Sequence, residues 1–304
     1  MRNVTFAALQ FACSIDRSQN IATAERLARR AAHLGANVIV LPELFETPYF
    51  CAVQDRRFFD LAAPLANHPT VHHFQRLAAE LAVVIPVPVF EAAATALFNS
   101  VVVVNSNGEV ASRYRKSHIP QAPGYEEKFY FSPGDTGFAP IPTAYGLLGI
   151  GICWDQWFPE AARALALNGA EFLLYPTAIG SEPSDKSYDS MEHWRIVMRG
   201  HAAANMLPVV AANRIGSESI SAASPRFYGS SFIAGPTGTL AAQMDRDSEG
   251  VVTATFDLDQ CRSDRISWGC FRDRRPDLYQ PLLRLSAEAV SGEVHTQSAE
   301  RLAV

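Results

Sequence analysis

The chain has 304 residues, 48% of them hydrophobic and 19% charged, which is enough apolar material for a large buried core. Its formal net charge of -5 argues against a nucleic-acid-binding protein, and its five scattered cysteines have neither disulfide-framework nor metal-ligand spacing. The first residues form no hydrophobic signal region and no apolar run is long enough to span a membrane, so we expect a cytoplasmic protein with no membrane partner, metal or cofactor.

Strand-like and helix-like stretches alternate along the first half of the chain. Residues 20–34 carry small and apolar side chains at helical spacing, and Gly35 supplies a C-terminal stop. Asn105-Ser106-Asn107-Gly108 has the composition of a hairpin turn. We predict helices over 20–34 and 70–81, and strands over 4–11, 37–42, 82–87, 99–104 and 110–115.

The same alternation continues through the second half. We predict strands over 147–152, 172–176, 207–213, 230–234 and 251–256, and helices over 159–167 and 190–206. No proline- and serine-rich linker, charge block or repeat divides the chain, so we expect one domain over residues 1–285 with a mixed, layered α/β architecture. Residues 286–304 are small and polar, and we expect a C-terminal tail that is loose or docked on a partner subunit.

Cys153 stands at the end of an apolar strand, directly before the polar and aromatic segment Trp154-Asp155-Gln156-Trp157. Such a corner between a strand and a helix presents a side chain near a helix N-terminus, where partial positive charge favours a thiolate. This placement is typical of a cysteine nucleophile. A small apolar core residue is the other interpretation, because free cysteines are among the most buried residues.

A cysteine nucleophile needs a base, and acyl chemistry needs a group that stabilises the oxyanion. Glu43 follows the buried strand that ends at Leu41-Pro42, where an unpaired carboxylate is costly, and Lys116 ends the polar strand Tyr114-Arg115-Lys116. Glu43 could instead be a cap or an ion-pair partner, and Lys116 a solvated lysine. None of the eight histidines has the sequence context of a familiar cysteine-protease partner, although pairing in space stays open.

The segments Leu41-Pro42-Glu43, Tyr114-Arg115-Lys116-Ser117-His118 and Gly151-Ile152-Cys153-Trp154-Asp155 resemble the three catalytic segments of the nitrilase superfamily of carbon-nitrogen hydrolases. The resemblance implies an α/β fold of the nitrilase type, a four-layer α-β-β-α sandwich, whose subunits join through helices into a homo-oligomer. It implies that the cysteine forms a thioester-type acyl-enzyme, that Glu43 is general base and then acid, and that Lys116 stabilises the oxyanion.

Two more roles follow from the same resemblance. The second glutamate of the family falls on Glu127, in Gly124-Tyr125-Glu126-Glu127-Lys128, and would orient Lys116 and the substrate amine. The backbone amide of Trp154, the residue after the nucleophile, would be a second oxyanion donor.

The longer stretches around these motifs resemble the branch of the superfamily that hydrolyses N-carbamoylputrescine to putrescine, ammonia and carbon dioxide. Because that small-molecule substrate ends in an ammonium group, its pocket should contain a carboxylate, and we assign that contact to Glu182. We expect the other pocket residues to be Trp154, Asp155, Tyr130 and His193, with Trp157 beside them.

Three rival interpretations differ in what they require. A β-ureidopropionase or an N-carbamoyl-D-amino-acid hydrolase acts on a substrate with a carboxylate, and should place an arginine or lysine where we expect Glu182. A catalytically silent relative that serves as a binding or scaffold subunit should lack a catalytic side chain. A histidine-assisted cysteine protease should not depend on Glu43.

Overall fold

Two mixed β-sheets form the centre of the larger unit of the chain, Met1–Asp264, and a separate two-stranded sheet lies within the same unit. The structure is a computed structural model that describes residues 1–185, 187–218, 220 and 224–286. Its strands are β1 (Asn3–Gln10), β2 (Val38–Val40), β3 (Ile85–Ala93), β4 (Ala96–Val104), β5 (Val110–Arg115), β6 (Ile141–Thr143), β7 (Gly146–Ile150), β8 (Phe172–Pro176), β9 (Val209–Ala212), β10 (Ile215–Ser217), β11 (Arg226–Tyr228), β12 (Phe232–Ala234), β13 (Leu240–Gln243) and β14 (Gly250–Asp257). Its α-helices are α1 (Arg17–His33), α2 (Pro69–Leu81), α3 (Pro159–Leu167), α4 (Met191–Asn205) and α5 (Leu258–Trp268).

The first sheet combines the amino-terminal strands with the last one. β1 pairs antiparallel with β14 and parallel with β2, while β3, β4 and β5 form an antiparallel meander. A parallel bridge between Val38 and Val84 joins the two groups of strands into one layer. Leu27 of α1 and Phe74 of α2 are fully buried in the core cluster that includes Val87 of β3, so these two helices cover this sheet.

The second sheet has the strand order β13-β12-β9-β8-β7-β6, with β7, β8 and β9 parallel. Helix α4 packs on it through Trp194, whose ring centroid lies 5.2 Å from that of Phe232 in β12. The two sheets meet through Phe6 and Phe172, whose ring centroids are 4.8 Å apart. Helices, sheet, sheet and helices therefore follow one another, which confirms the expected four-layer α-β-β-α sandwich.

Each predicted helix and strand is present, with differences at the ends. The pattern predicts a strand over 82–87, whereas β3 begins at Ile85 and continues to Ala93. Pro86 and Pro88 weaken the strand signal, because proline cannot donate to a ladder. The buried Glu91 is compensated by Arg115 at 2.6 Å and by the Ser100 hydroxyl at 2.5 Å. The short strands β6, β10, β11 and β13 and the polar helix α5 give no clear periodicity, and sequence reasoning missed them.

The smaller unit begins at Arg265, and its described part contains two 3₁₀ turns, Pro276–Leu278 and Gln280–Leu283. The expected tail over 286–304 lies outside the described residues from 287 onward, so it stays a prediction, as does the domain boundary at 285. Within the described ranges, no helix combines the length and the apolar character needed to cross a membrane.

Candidate active site

The ends of strands from both sheets converge on one buried site. Glu43 follows β2, Lys116 follows β5 and Cys153 follows β7 after two residues. The backbone N–H of Glu43 donates to the Thr177 carbonyl at 3.2 Å, which joins the chain after β2 to the chain after β8. The Cys153 thiol donates to the Ala178 carbonyl, with Sγ 3.8 Å from the oxygen. Parallel strands deliver their carboxyl ends to the same edge, which is why residues so distant in sequence meet here.

Lys116 lies between two carboxylates. Its Nζ is 2.8 Å from Glu43 Oε1 and 2.6 Å from Glu127 Oε2, and the three side chains are fully buried. Asn99 Nδ2 donates to the same Glu43 oxygen at 2.7 Å, and the Tyr49 hydroxyl donates to Glu127 Oε1 at 2.7 Å. Buried ions are tolerated when they are paired and hydrogen-bonded in this way. The structure thus brings three of the four predicted catalytic residues into direct contact.

One oxygen of the Glu43 carboxylate is left over. Oε2 is buried and has no hydrogen-bond partner among the described residues, although buried polar atoms normally have one. Oε1 is held by Lys116 and Asn99, so the orientation of the carboxylate is fixed. Glu43 therefore combines a locked side chain with a free oxygen that can accept a proton.

Cys153 occupies a strained corner. Its φ is +40°, which is uncommon for a residue with a Cβ, and it begins the five-residue 3₁₀ helix Cys153–Trp157. A glycine is required at position 151, two residues before Cys153, because a Cβ there would lie 2.5 Å from a ring atom of Tyr175. The predicted corner is present, but a 3₁₀ turn follows the cysteine directly and helix α3 begins only at Pro159.

The charges around Cys153 correct the expectation of a stabilised thiolate. Burial raises the pKa of the Cys153 thiol well above its ordinary value, Glu43 adds to the rise, and the opposing effect of Lys116 is smaller. Burial also raises the pKa of Glu127 to about 7, with Glu43 contributing and Lys116 opposing. Burial disfavours the ammonium of Lys116, but Glu127 and Glu43 outweigh it and hold its pKa well above the usual range. The resting site therefore holds a neutral thiol beside a charged lysine.

Asp155, which we predicted to help shape the pocket, is directed into the protein. It is fully buried, and both of its carboxylate oxygens accept hydrogen bonds from the surrounding chain. The sequence places Asp155 two residues from the nucleophile, but its side chain is directed toward backbone and side-chain donors within the protein. Its predicted substrate contact stays a prediction, with both oxygens already hydrogen-bonded within the protein.

The hydroxyl and the ring of Tyr130 are both held within the protein. Its hydroxyl donates to the Val53 carbonyl at 2.6 Å and accepts from the Asp55 N–H at 2.9 Å. Its ring packs edge-on against Phe50, with centroids 5.0 Å apart, within a buried aromatic cluster. The contact of Tyr130 with substrate stays a prediction, which these contacts of its hydroxyl and ring do not support.

Two tyrosines connect Glu182 with the surroundings of Cys153. It is half-buried in the loop after β8. Burial raises the pKa of Tyr125 and of Tyr228, and both Glu182 and Cys153 add to the rise, so these two hydroxyls lie within electrostatic reach of both residues. The Tyr125 hydroxyl is fixed by the Gly180 N–H at 3.1 Å and the Ser181 carbonyl at 3.2 Å.

Trp154, Trp157 and His193 form an aromatic row. The Trp154 ring is 40% exposed and lies 6.2 Å from Trp157, whose centroid is 4.8 Å from the His193 ring. His193 is exposed on α4 and pairs with the Tyr188 hydroxyl at 2.9 Å. Tyr188 also lines a cavity of about 330 Å³ with Ser181, Asp189, Arg226, Tyr228, Arg246 and Asp247. The row therefore extends from the residue after the nucleophile toward this cavity.

Sequence reasoning missed the residues that hold the two glutamates. Arg214 is fully buried, donates to the Glu43 carbonyl at 2.7 Å and pairs with Glu218 at 2.6 Å. Glu218 in turn accepts from the Tyr49 N–H. The only sequence signal is polar residues within or just after apolar strands: Asn99 in β4, and Arg214 shortly after β9.

Within the described residues, no cluster of three or more histidine, cysteine, aspartate or glutamate side chains could hold a metal ion.

The chain is similar to a known family and to named relatives over most of its length. The family model described as carbon-nitrogen hydrolase matches residues 5–266. The N-carbamoylputrescine amidase of Arabidopsis thaliana is 57% identical over 288 residues, which cover 93% of this chain and 96% of that protein. The citrullinase of Francisella tularensis is 46% identical over 284 residues, covering 93% of this chain and 99% of that protein.

A solved structure agrees with the fold. The crystal structure of a carbon-nitrogen hydrolase from Helicobacter pylori superposes with a TM-score of 0.88 at 40% identity, covering 94% of this chain and all of the other. The similarity therefore extends over both sheets and their covering helices.

Proposed function

The chain belongs to the carbon-nitrogen hydrolase family, and we propose that it hydrolyses N-carbamoylputrescine to putrescine, ammonia and carbon dioxide. It is a hydrolase that acts on carbon-nitrogen bonds of linear amides. The observation that carries the choice of substrate is the half-buried Glu182, which raises the pKa of the same two tyrosines, Tyr125 and Tyr228, as Cys153 does. An ammonium group at the far end of a short substrate would be neutralised there.

In the first half of the proposed reaction, Glu43 Oε2 takes the proton of the Cys153 thiol while the sulfur attacks the ureido carbon. The oxyanion receives hydrogen bonds from Lys116 Nζ and from the backbone N–H of Trp154. As the tetrahedral intermediate collapses, the bond to the putrescine nitrogen breaks and that nitrogen takes the proton from Glu43. A carbamoyl thioester is left on Cys153.

In the second half, water attacks the thioester and gives its proton to Glu43, which returns it to the departing sulfur. The released carbamic acid breaks down to ammonia and carbon dioxide. Glu127 binds Lys116 throughout and holds its ammonium in place. A neutral resting thiol agrees with this scheme, because deprotonation by Glu43 is then part of the reaction.

The rival interpretations are less well supported. Glu43, Lys116 and Cys153 are all present and buried together, unlike in a silent scaffold subunit. Among the described histidines, His118 is bound to Asp155 and His201 to the Gln156 carbonyl, and neither is hydrogen-bonded to Cys153. A histidine base therefore has no support in this geometry.

Citrulline is a second candidate substrate. It has the same ureido group on a chain that ends in both an ammonium and a carboxylate. The cavity beside Tyr228 contains Arg226 and Arg246, each paired with an aspartate, at 3.1 Å and 2.5 Å. Either arginine could exchange its aspartate for the carboxylate of an amino acid.

A substrate panel tests the proposal. Ammonia release is measured with N-carbamoylputrescine, citrulline and N-carbamoyl-β-alanine, using wild type, Cys153→Ala and Glu182→Gln. We expect N-carbamoylputrescine to have the highest kcat/KM, Cys153→Ala to be inactive, and Glu182→Gln to lose roughly 10- to 100-fold in kcat/KM for the cationic substrate. Turnover of N-carbamoyl-β-alanine alone would overturn the proposed specificity, and preference for citrulline would favour the second candidate.

We also keep a homo-oligomer and a cytoplasmic location as parts of the proposal. Light scattering of the purified protein measures the first, and a monomer at micromolar concentration would contradict it.

A further inference from the structure

Asp155 connects the segment that carries Lys116 to the segment that carries Cys153. Its Oδ1 accepts from the His118 N–H at 2.9 Å and from His118 Nδ1 at 2.7 Å. Its Oδ2 accepts from the Tyr114 hydroxyl at 2.8 Å and from the Ile152 N–H at 2.9 Å. Two of these donor residues stand two positions before and after Lys116, and the third directly precedes Cys153.

The surroundings keep this connection rigid. Asp155 is fully buried, so replacing any of its donors by water is costly. The His118 ring lies flat on Phe158, with centroids 3.6 Å apart, and the Phe158 N–H donates to the Asp155 carbonyl at 3.2 Å. Phe158 therefore holds both the His118 ring and the backbone of Asp155.

We propose that Asp155 is a positioning residue that fixes the Lys116 ammonium relative to the Cys153 sulfur, so that the oxyanion forms within reach of Lys116. The inference rests on the proposed function, because it assigns oxyanion stabilisation to Lys116. Asp155 acts through Lys116 and Cys153 and does not touch the substrate. A displacement of about 1 Å between such groups costs roughly 100-fold in rate.

Asp155→Asn is the direct test, because it keeps the size of the side chain. Each carboxylate oxygen accepts from one backbone N–H, that of His118 or that of Ile152, so the amide NH₂ group faces a backbone donor in either orientation. We expect kcat to fall roughly 100-fold while KM changes by less than about threefold.

Alkylation of Cys153 by iodoacetamide separates positioning from general damage. That reaction needs the thiol and its base but forms no oxyanion, so we expect its rate, followed by mass spectrometry of the Cys153 peptide, to change by less than about threefold. An unchanged kcat, or equal losses of turnover and alkylation, would overturn the inference.

Two milder variants keep the test decisive if Asp155→Asn does not fold. Tyr114→Phe removes one donor, and His118→Ala removes one donor while keeping the His118 backbone N–H. Each should lower kcat roughly 5- to 10-fold with alkylation unchanged, and the double variant should lose more than either. If both single variants retain full turnover, Asp155 has no positioning role.

The wild type is first measured on the whole substrate panel and on a simple aliphatic amide, and the variants are compared on the substrate that it hydrolyses best. Failure on N-carbamoylputrescine would then refute the proposed function, and the comparison among variants would still decide the role of Asp155.

Discussion

The substitution Glu43→Gln tests whether the Glu43 carboxylate is the general base of the reaction. Glu43 Oε1 accepts from Lys116 and Asn99, whereas the buried Oε2 has no partner among the described residues. A glutamine can keep its carbonyl oxygen on Lys116 and Asn99 and place its NH₂ group at the position of Oε2. The variant therefore preserves the position of Lys116 and removes only the proton acceptor.

The size of the loss follows from the state of the thiol. A general base contributes about 10²- to 10⁴-fold to a rate, or roughly 3–5 kcal/mol. Burial is the largest cause of the raised pKa of Cys153, and it persists when the Glu43 charge is removed, so little thiolate exists to react without a base. We therefore expect kcat to fall by about 10³- to 10⁴-fold, in the upper part of that range.

The assay is ammonia release from N-carbamoylputrescine, together with the rate of Cys153 alkylation, which should fall in parallel. Glu46→Gln is the matched control: Glu46 is equally buried, but it binds Arg17 at 2.9 Å and the Thr70 hydroxyl, away from Lys116. Glu46→Gln should lower the melting temperature and leave kcat within about threefold. If Glu43→Gln kept more than about a tenth of wild-type turnover, the carboxylate would not be the base.

Two further variants test the groups around Glu43. The pKa of Glu127 is raised from 4.5 to about 7, so its contribution to stability is present below pH 4.5 and is lost as the pH rises to about 7. Chemical denaturation across this window should show a decline in wild type that is absent in Glu127→Gln, and parallel curves would contradict the burial effect. Arg214→Lys cannot bind the Glu43 carbonyl and Glu218 as a fork, so turnover and Cys153 alkylation should both fall roughly 10-fold, unlike in the Asp155 variants. Unchanged alkylation in Arg214→Lys would show that this contact does not hold the base.

Glu43, Lys116 and Cys153 could each be singled out at a strand end from the sequence, but the resemblance of their segments to the nitrilase superfamily was needed to predict that they share one site. Apolar runs define the strand ends, and a charged or reactive side chain at such an end is visible without any long-range information. The same reasoning predicted the layered fold, since strands and helices alternate throughout. The full extent of the proline-containing strand β3 and the presence of the short strands could not be predicted, because their pairing depends on partners elsewhere in the chain.

The direction of individual side chains and the hydrogen bonds between residues distant in sequence could not be predicted. Asp155 and Tyr130 lie beside the motifs in sequence, yet their polar atoms are directed into the protein, toward Tyr114 and Val53 for example. Conversely, Arg214 is separated by 171 residues from Glu43, to which it donates a hydrogen bond. Proximity in sequence to a motif is therefore weak evidence for substrate contact, and the residues that hold a motif in place are invisible until the fold is known.

The arrangement of charges explains why a lysine is placed between two carboxylates in a dry site. Before reaction, Lys116 is paired with Glu43 and Glu127, and Cys153 is neutral. In the proposed mechanism the thiol proton moves to Glu43, which removes one negative charge from beside Lys116 as the oxyanion creates another nearby. The net charge of the buried cluster therefore stays constant through the step.

Constancy of charge matters because creating a new charge in a buried site is far more costly than moving one. The ammonium of Lys116 passes from stabilising Glu43 to stabilising the oxyanion, while Glu127 holds it in place. This transfer requires that Lys116, Glu43 and Cys153 keep fixed separations. It explains why Asn99, Tyr49 and Arg214 donate hydrogen bonds around the site and Asp155 accepts one from Tyr114. Loosening Lys116 should slow hydrolysis more than thiol alkylation, whereas loosening Glu43 should slow both equally.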